Sequence, residues 1–225
     1  NGSKIGTSAA HYADYMMALV RTSPQSNEKK HDGLSQLIIN LKAPGVTIRP
    51  IYLMSGEHHF NEVIFEDVVI EEDMIVGEIG NGWNQSMAEL AYERSGPERI
   101  LSTYPLLNEL VNILSDNHDV QDKVEIGKLV SRLWTLRQMS LGVATLLEAG
   151  ESPNIPASIG KDLGTQFESE VIDVTSELLD LTPSMNGDKR IDVLFSEAML
   201  HAPGFTLRGG TTEILRSIVS RGLGL

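Results

Sequence analysis

Residues 80–99 have the sequence GNGWNQSMAELAYERSGPER, and the chain changes its periodicity within them. Gly80 and Gly82 can adopt the backbone angles of a tight connection. The apolar residues that follow recur at spacings of three and four, which is typical of an amphipathic helix; they are Trp83, Met87, Leu90 and Ala91. The stretch is therefore the junction between a region that predicts strands and one that predicts helices.

The region before the junction contains apolar runs separated by turn residues. Strands are predicted for residues 15–20, 34–41, 46–54 and 60–68. A polar surface loop is expected at residues 22–33, and Pro44-Gly45 is typical of a turn. Strands joined in this way predict an antiparallel β-barrel or sandwich for residues 1–79.

The region after the junction keeps a helical period for most of its length. Helices are predicted from Trp83, over residues 100–114 and 124–150, up to about 181, over 191–200 and after Gly209-Gly210. A break is expected at residues 117–119. Pro97 is expected to kink the first helix and Pro203 to stop the fifth, because proline lacks the backbone donor. Long helices with short loops predict an antiparallel bundle for residues 80–225, and an α+β chain as a whole.

Composition excludes several kinds of site. The chain has no cysteine, which rules out disulfides, a thiolate nucleophile and a cysteine-ligated metal. Its net charge of −13 argues against a nucleic-acid partner. His58 and His59 are adjacent and His11 stands apart, so no metal site is predicted.

The chain carries no stretch long enough to span a bilayer and no secretory signal, and a cytoplasmic location is expected. It begins at Asn1 rather than at a methionine, so we expect it to be part of a longer chain.

Two stretches could carry chemistry. Glu93 and Arg94 lie next to Tyr92, just ahead of Gly96-Pro97, where a carboxylate and a guanidinium could form a site or a solvated ion pair. In the second stretch, Gly209-Gly210-Thr211-Thr212-Glu213 opens the last helix. Its free N–H groups could bind an anion such as a phosphate, or Thr211 could simply cap the helix.

Three motifs resemble the acyl-CoA dehydrogenase family, and the resemblance covers the whole chain. Residues 1–8, NGSKIGTS, resemble the strand of the middle domain beside the flavin. Residues 65–68, FEDV, with the later Gly82-Trp83 resemble the exit from the β domain, and residues 210–216, GTTEILR, resemble the C-terminal signature. The resemblance implies a chain that contains the middle β domain and the C-terminal helical domain, without the N-terminal helical domain.

The resemblance implies FAD-dependent α,β-dehydrogenation of an acyl-CoA thioester, in which a carboxylate removes the α proton and FAD accepts the β hydride. Many members carry the base just before the glycine of the C-terminal signature, where this chain has Gly209. A minority carry it in a Glu-Arg pair on the first helix of the last domain, to which Glu93-Arg94 corresponds. Glu93 is then the catalytic base, in a water-poor pocket, with Arg94 and Tyr92 at the substrate.

The resemblance also implies flavin contacts, which are Ser8, Gly210, Thr211 and Glu213. Gly6 stands where the family has a Trp, no Arg-x-x-Phe-Gly segment follows the first long helix, and residues 179–187 replace a Phe-Gly-Gly-x-Gly segment. These departures resemble one subunit of the heterotetrameric acyl-CoA dehydrogenases that act on steroid side-chain thioesters, where two unlike chains share each flavin site. The partner would be a second acyl-CoA dehydrogenase-like subunit. The alternative is a non-catalytic chain that completes the FAD site of its partner.

Overall fold

The computed structural model describes residues 1–25, 30–115 and 119–225. The chain forms two compact units, Asn1–Glu89 and Leu90–Leu225. The boundary that the sequence predicts between residues 79 and 80 stays a prediction, because compactness alone does not define a folding domain.

In the described residues of the first unit, six strands form two antiparallel three-stranded sheets. The strands are β1 (Gly2–Ser8), β2 (Tyr15–Arg21), β3 (Leu34–Asn40), β4 (Val46–Tyr52), β5 (His58–Phe65) and β6 (Ile75–Val76). One sheet has the order β1-β5-β4 and the other β2-β3-β6. The sandwich form of the prediction is compatible with this arrangement, and within the described ranges the strands do not close into a barrel.

The core of the first unit is formed by side chains from both sheets. Val63 and Phe65 of β5 cluster with Ala18 of β2 and Ile39 of β3. Alternate residues of β5 are buried, as expected for a strand with one face on a core. Of the polar loop predicted at 22–33, residues 26–29 lie outside the described part of the chain.

The second unit consists of helices that pack around a central one. The helices are α1 (Gly82–Arg94), whose first residues belong to the first unit, α2 (Tyr104–Leu114), α3 (Val120–Glu148), α4 (Asn154–Leu179), α5 (Arg190–Phe205) and α6 (Thr212–Gly222). Helix α4 contacts α2, α3, α5 and α6. Its buried Phe167 and Val171 lie in the main apolar core. The α+β class and the helical bundle are confirmed.

Two expectations about proline are wrong. Helix α1 ends at Arg94, and Pro97 opens a separate 3-10 turn, Pro97–Arg99, instead of kinking one continuous helix. Proline is tolerated there because the first residues of a helix need no internal N–H donor. Pro203 lies inside α5, which continues to Phe205. The burial of Phe205 in the core stabilises this last turn despite the proline.

The break predicted at residues 117–119 falls partly outside the described residues, which resume at Asp119. The Asp119 side chain accepts a hydrogen bond of 2.7 Å from the Gln121 N–H and so caps α3. In the described part of the chain, every helix is too short or too polar to cross a membrane.

Candidate active site

The end of α1 is joined to the loop between α5 and α6 by Arg94. Its Nε donates a hydrogen bond of 3.0 Å to the carbonyl oxygen of Gly209, and the residue is only 2% exposed. Burial lowers the pKa of Arg94, and the neighbouring Glu93 carboxylate opposes that shift. Its Nη1 atom is buried without a hydrogen-bond partner among the described residues. Arg94 therefore holds the loop and keeps one donor uncommitted.

Glu93 is held by Arg99 of the neighbouring 3-10 turn. The Arg99 Nη2 atom forms an ion pair with Glu93 Oε1, and its Nε donates to the Glu93 carbonyl at 3.3 Å. The Arg99 side chain is 12% exposed, whereas that of Glu93 is 44% exposed. The Glu93 carboxylate thus pairs with Arg99 on one side and faces solvent on the other. The second unit by itself does not form the water-poor pocket that a base requires.

Gly209 lies against both arginines. Its φ is +66° and that of Gly210 is +106°, a region that residues with a side chain rarely adopt. A Cβ on Gly209 would lie 3.4 Å from Arg99 Nε and 3.9 Å from Arg94 Cγ. The structure therefore brings Glu93, Arg94 and the glycine pair together in one place.

Thr211 and Glu213 are engaged with the start of α6. The Thr211 Oγ1 atom accepts a 3.5 Å hydrogen bond from the Ile214 N–H. The Glu213 carboxylate accepts from its own backbone N–H and from the Thr211 hydroxyl, and these bonds lower the pKa of Glu213. These bonds favour the interpretation that the two residues cap α6. The Glu213 carboxylate already accepts at the helix start, where an external anion would otherwise bind.

Tyr92 and Ser8 are both exposed, but they belong to different units. Tyr92 lies near the end of α1 in the second unit. Ser8 ends β1 in the first unit, and next to it the β1–β5 register shifts between Lys4 and Thr7. Gly6 in that shift has a φ of +75°, and a Cβ there would meet nothing within 4 Å. Ser8 is thus an exposed hydroxyl two residues from this open position, and its role toward a flavin stays a prediction.

The β1 strand borders an imidazole pair that the sequence does not reveal. His11, expected to stand apart, stacks on His58 with ring centres 3.8 Å apart. The fully buried Asn61 donates to His11 Nδ1 and to the Thr7 carbonyl, each at 3.1 Å, and its Oδ1 lies 2.8 Å from His58 Nε2. This amide fixes the strand immediately before Ser8.

Helix α4 carries a row of buried polar residues next to the site, which were not predicted as site residues from the sequence. Lys161 Nζ donates to the Phe205 carbonyl at 2.7 Å and to Thr165 Oγ1 at 2.8 Å. Burial, with smaller contributions from Arg208 and Arg99, lowers the pKa of Lys161 to about 8. Glu168, also fully buried, accepts from the Ser102 N–H at 2.9 Å and forms an ion pair with Arg208.

A signal for this row exists in the sequence. Lys161, Thr165 and Glu168 share the heptad spacing of the buried Ile172 and Thr175 on the same helix. Polar residues at core-facing positions of an apolar helix need buried partners, which is a reason to look for a network.

The comparisons with known proteins agree with these motifs. The family models that were compared do not match the chain. The acyl-CoA dehydrogenase IpdE1 of Mycobacterium tuberculosis is 33% identical over 231 residues, which covers 100% of this chain and 59% of the relative. The acyl-CoA dehydrogenase FadE34 of the same organism is 28% identical over 99% of this chain and 30% of its own length. The chain therefore spans less than two thirds of either relative.

Solved structures share the fold over the entire chain. The Tcur3481-Tcur3483 steroid ACAD superposes with a TM-score of 0.82 at 26% identity, over 100% of this chain and 60% of the other. The ChsE4-ChsE5 complex from Mycobacterium tuberculosis gives a TM-score of 0.81 at 25% identity, over 100% and 61%. With the motifs at both ends of the chain and the relatives that match it throughout, the chain is similar to acyl-CoA dehydrogenases over its whole length.

Proposed function

We propose that this chain is one subunit of a heteromeric, FAD-dependent acyl-CoA dehydrogenase, and that Glu93 is its catalytic base. The heteromer is supported by the similarity to the Tcur3481-Tcur3483 steroid ACAD and to the ChsE4-ChsE5 complex. The first of these neighbours is a steroid ACAD, and together with the resemblance it supports a steroid side-chain thioester as the substrate class.

One observation carries the proposal. Arg99 holds the Glu93 carboxylate and also lies against Gly209, the position where many family members carry the base. A carboxylate at the end of α1 therefore occupies the neighbourhood that a carboxylate before the C-terminal signature would occupy. Because position 209 is a glycine, Glu93 can supply the missing base there.

In the proposed reaction, each residue of the candidate site has its own role. The Glu93 carboxylate takes the α proton of the thioester, and the electrons of that C–H bond form the α,β double bond. Bound FAD would supply the acceptor for the hydride that leaves the β carbon. Arg99 orients the carboxylate through its ion pair, and Arg94 holds the Gly209 loop while its free Nη1 can donate toward the thioester. General-base catalysis of this kind contributes about 100- to 10,000-fold in rate.

On the cofactor side, Ser8 would donate to the flavin ring, and Gly210 would let the ligand approach the backbone. Thr211 and Glu213 would have to exchange their present hydrogen bonds at the start of α6 to contact FAD. Tyr92, exposed near the end of α1, would line the acyl chain.

The alternative is a non-catalytic subunit that completes the FAD site of another chain. The exposure of Glu93 favours it, because a base needs a desolvated carboxylate and this one is 44% exposed. In that case the Glu93–Arg99 pair only fastens the end of α1.

The deciding experiment compares Glu93→Gln with Glu98→Gln in a complex reconstituted with the second subunit. Glu98 is exposed and lies 3.9 Å from Arg99, so its substitution removes the same local charge and leaves the proposed base in place. Thioester-dependent bleaching of the flavin should slow about 100- to 10,000-fold in Glu93→Gln and little in Glu98→Gln. Bleaching at the parental rate in Glu93→Gln would support the scaffold alternative.

A further inference from the structure

We propose that Glu168 is a positioning residue that bonds to both loops of the candidate site, the one after α1 and the one between α5 and α6. It thereby fixes the position of one loop relative to the other. The proposal rests on the function proposed above, because the loops matter for catalysis only if Glu93 is the base. It adds that the geometry of Glu93 depends on a carboxylate that never contacts substrate.

The first loop follows α1. The Glu168 Oε1 atom accepts the Ser102 N–H at 2.9 Å, three residues after Arg99. One turn earlier on α4, Gly164 lets the same segment approach closely: a Cβ there would lie 2.5 Å from Ile100 Cγ2 and 2.9 Å from the Arg99 carbonyl oxygen. Helix α4 thus fixes the segment that carries Arg99, and Arg99 fixes Glu93.

The second loop joins α5 to α6. The other oxygen of Glu168 forms an ion pair with Arg208, the residue immediately before Gly209. The Arg208 guanidinium also lies over the Phe205 ring, 4.9 Å from its centre. Gly209 in turn accepts the hydrogen bond of Arg94. The buried Glu168 carboxylate is therefore bonded to both loops, so a shift of either loop is transmitted to the other.

Burial explains why one residue can do this. A carboxylate away from water is held strongly only when its oxygens are paired, and each oxygen of Glu168 has a partner in a different loop. Removal of the charge leaves Arg208 without its counterion and weakens both connections at once. Displacement of a catalytic group by about 1 Å can reduce a rate by about 100-fold.

The test compares Glu168→Gln with Glu170→Gln in the reconstituted complex. Glu170 lies on the same helix and pairs with Arg132, so its substitution also removes one ion pair, but away from both loops. We expect the kcat of flavin reduction to fall about 10- to 100-fold in Glu168→Gln with KM nearly unchanged. Glu170→Gln should change neither by more than about twofold.

A second measurement does not depend on activity. Amide hydrogen exchange at residues 99–103 and 207–211 should accelerate together in Glu168→Gln and stay unchanged in Glu170→Gln. If the parental complex does not reduce flavin, the proposed function fails, and the exchange data alone then decide whether Glu168 couples the loops. Acceleration in only one loop, or in neither, would overturn the coupling.

A double variant separates positioning from simple stability. Glu168→Gln with Arg208→Gln removes the uncompensated charge, so the melting temperature should recover while kcat stays low. Recovery of kcat together with stability would show that Glu168 is merely structural. If Glu168→Gln alone fails to assemble, Arg208→Gln takes its place: accelerated exchange in both loops supports the coupling, and unchanged exchange in the first loop overturns it.

Discussion

The Nε atom of Arg94 lies 3.0 Å from the carbonyl oxygen of Gly209, although 115 residues separate the two in the chain. Arg99 completes the connection, since it pairs with Glu93 and lies against Gly209. The two sequence positions for which the resemblance predicts a catalytic glutamate therefore meet in this chain at one place.

A base transferred to position 209 should partly replace Glu93. In a Glu93→Gln background, Gly209→Glu should raise the rate of flavin bleaching at least about tenfold, because it returns a carboxylate to the same neighbourhood. Recovery should be incomplete, since the φ of +66° at this position strains a side chain by about 1–2 kcal/mol. The control is Gly209→Gln in the same background, which carries the strain without the base. Equal recovery in both variants would contradict the prediction.

The chain purified alone should be colourless and become yellow only with its partner subunit. Two segments that hold FAD in the family have no counterpart here, and residues 179–187 stand in place of one of them. The measurement is the visible absorbance of the isolated chain and of the complex at equal protein concentration. A stoichiometric flavin spectrum from the isolated chain would refute this expectation.

Lys161 should make stability rise with pH. Its pKa is about 8 in the folded chain against an ordinary value of 10.5, so between these values the unfolded chain binds more protons. Stability from this group is therefore fully present above the higher value and lost as the pH falls to the lower one. The slope is about 1.4 kcal/mol per pH unit.

Lys161→Met removes this titration and keeps most of the side-chain volume. The difference in unfolding free energy between the parent and Lys161→Met should increase in favour of the parent above about pH 8 and stay constant below it. Urea unfolding of both proteins at matched pH measures that difference and cancels the other titrating groups. A difference that does not change with pH would show that Lys161 stays charged when buried.

Two helical glycines should respond to alanine with opposite signs. A Cβ on Gly82 would lie 2.6 Å from the Cα of Ser35 and 2.8 Å from the backbone nitrogen of Gln36, neither of which can rotate away. Gly82→Ala should therefore destabilise the chain by about 1–3 kcal/mol. Gly127 in α3 has open space around it, so Gly127→Ala should stabilise by about 0.5–1 kcal/mol through helix propensity. Urea unfolding measures both, and a shared sign would refute the packing argument.

Much of the fold follows from short-range patterns. The helix predicted over residues 124–150 is found as Val120–Glu148, and the strand predicted over 60–68 is found as His58–Phe65. Turn residues are equally local: Gly45, in the predicted Pro44-Gly45 turn, has a φ of +87°. These features depend on residues close in sequence, so periodicity and turn chemistry suffice to predict them.

Pro203 and Glu168 show where local patterns fail. The sequence predicts that Pro203 ends its helix, yet the last turn of α5 persists because Phe205 is buried in the core. The heptad spacing indicates that Glu168 faces the core, but its partners Ser102 and Arg208 are found only in the structure. Burial of a polar group depends on partners that packing brings from distant segments, and no window of neighbouring residues contains them.

By itself, the sequence determined the order of a β region and a helical region, the resemblance to acyl-CoA dehydrogenases, and the candidates Glu93, Arg94 and Gly210. Only the tertiary structure decided that the end of α1 meets the glycine pair, that Arg99 clamps Glu93, and that Thr211 caps α6. Periodicity is a property of consecutive residues. A hydrogen bond across 115 residues exists only when the helices between them have packed, and α4, with its buried Lys161 and Glu168, is the element on which both loops are positioned.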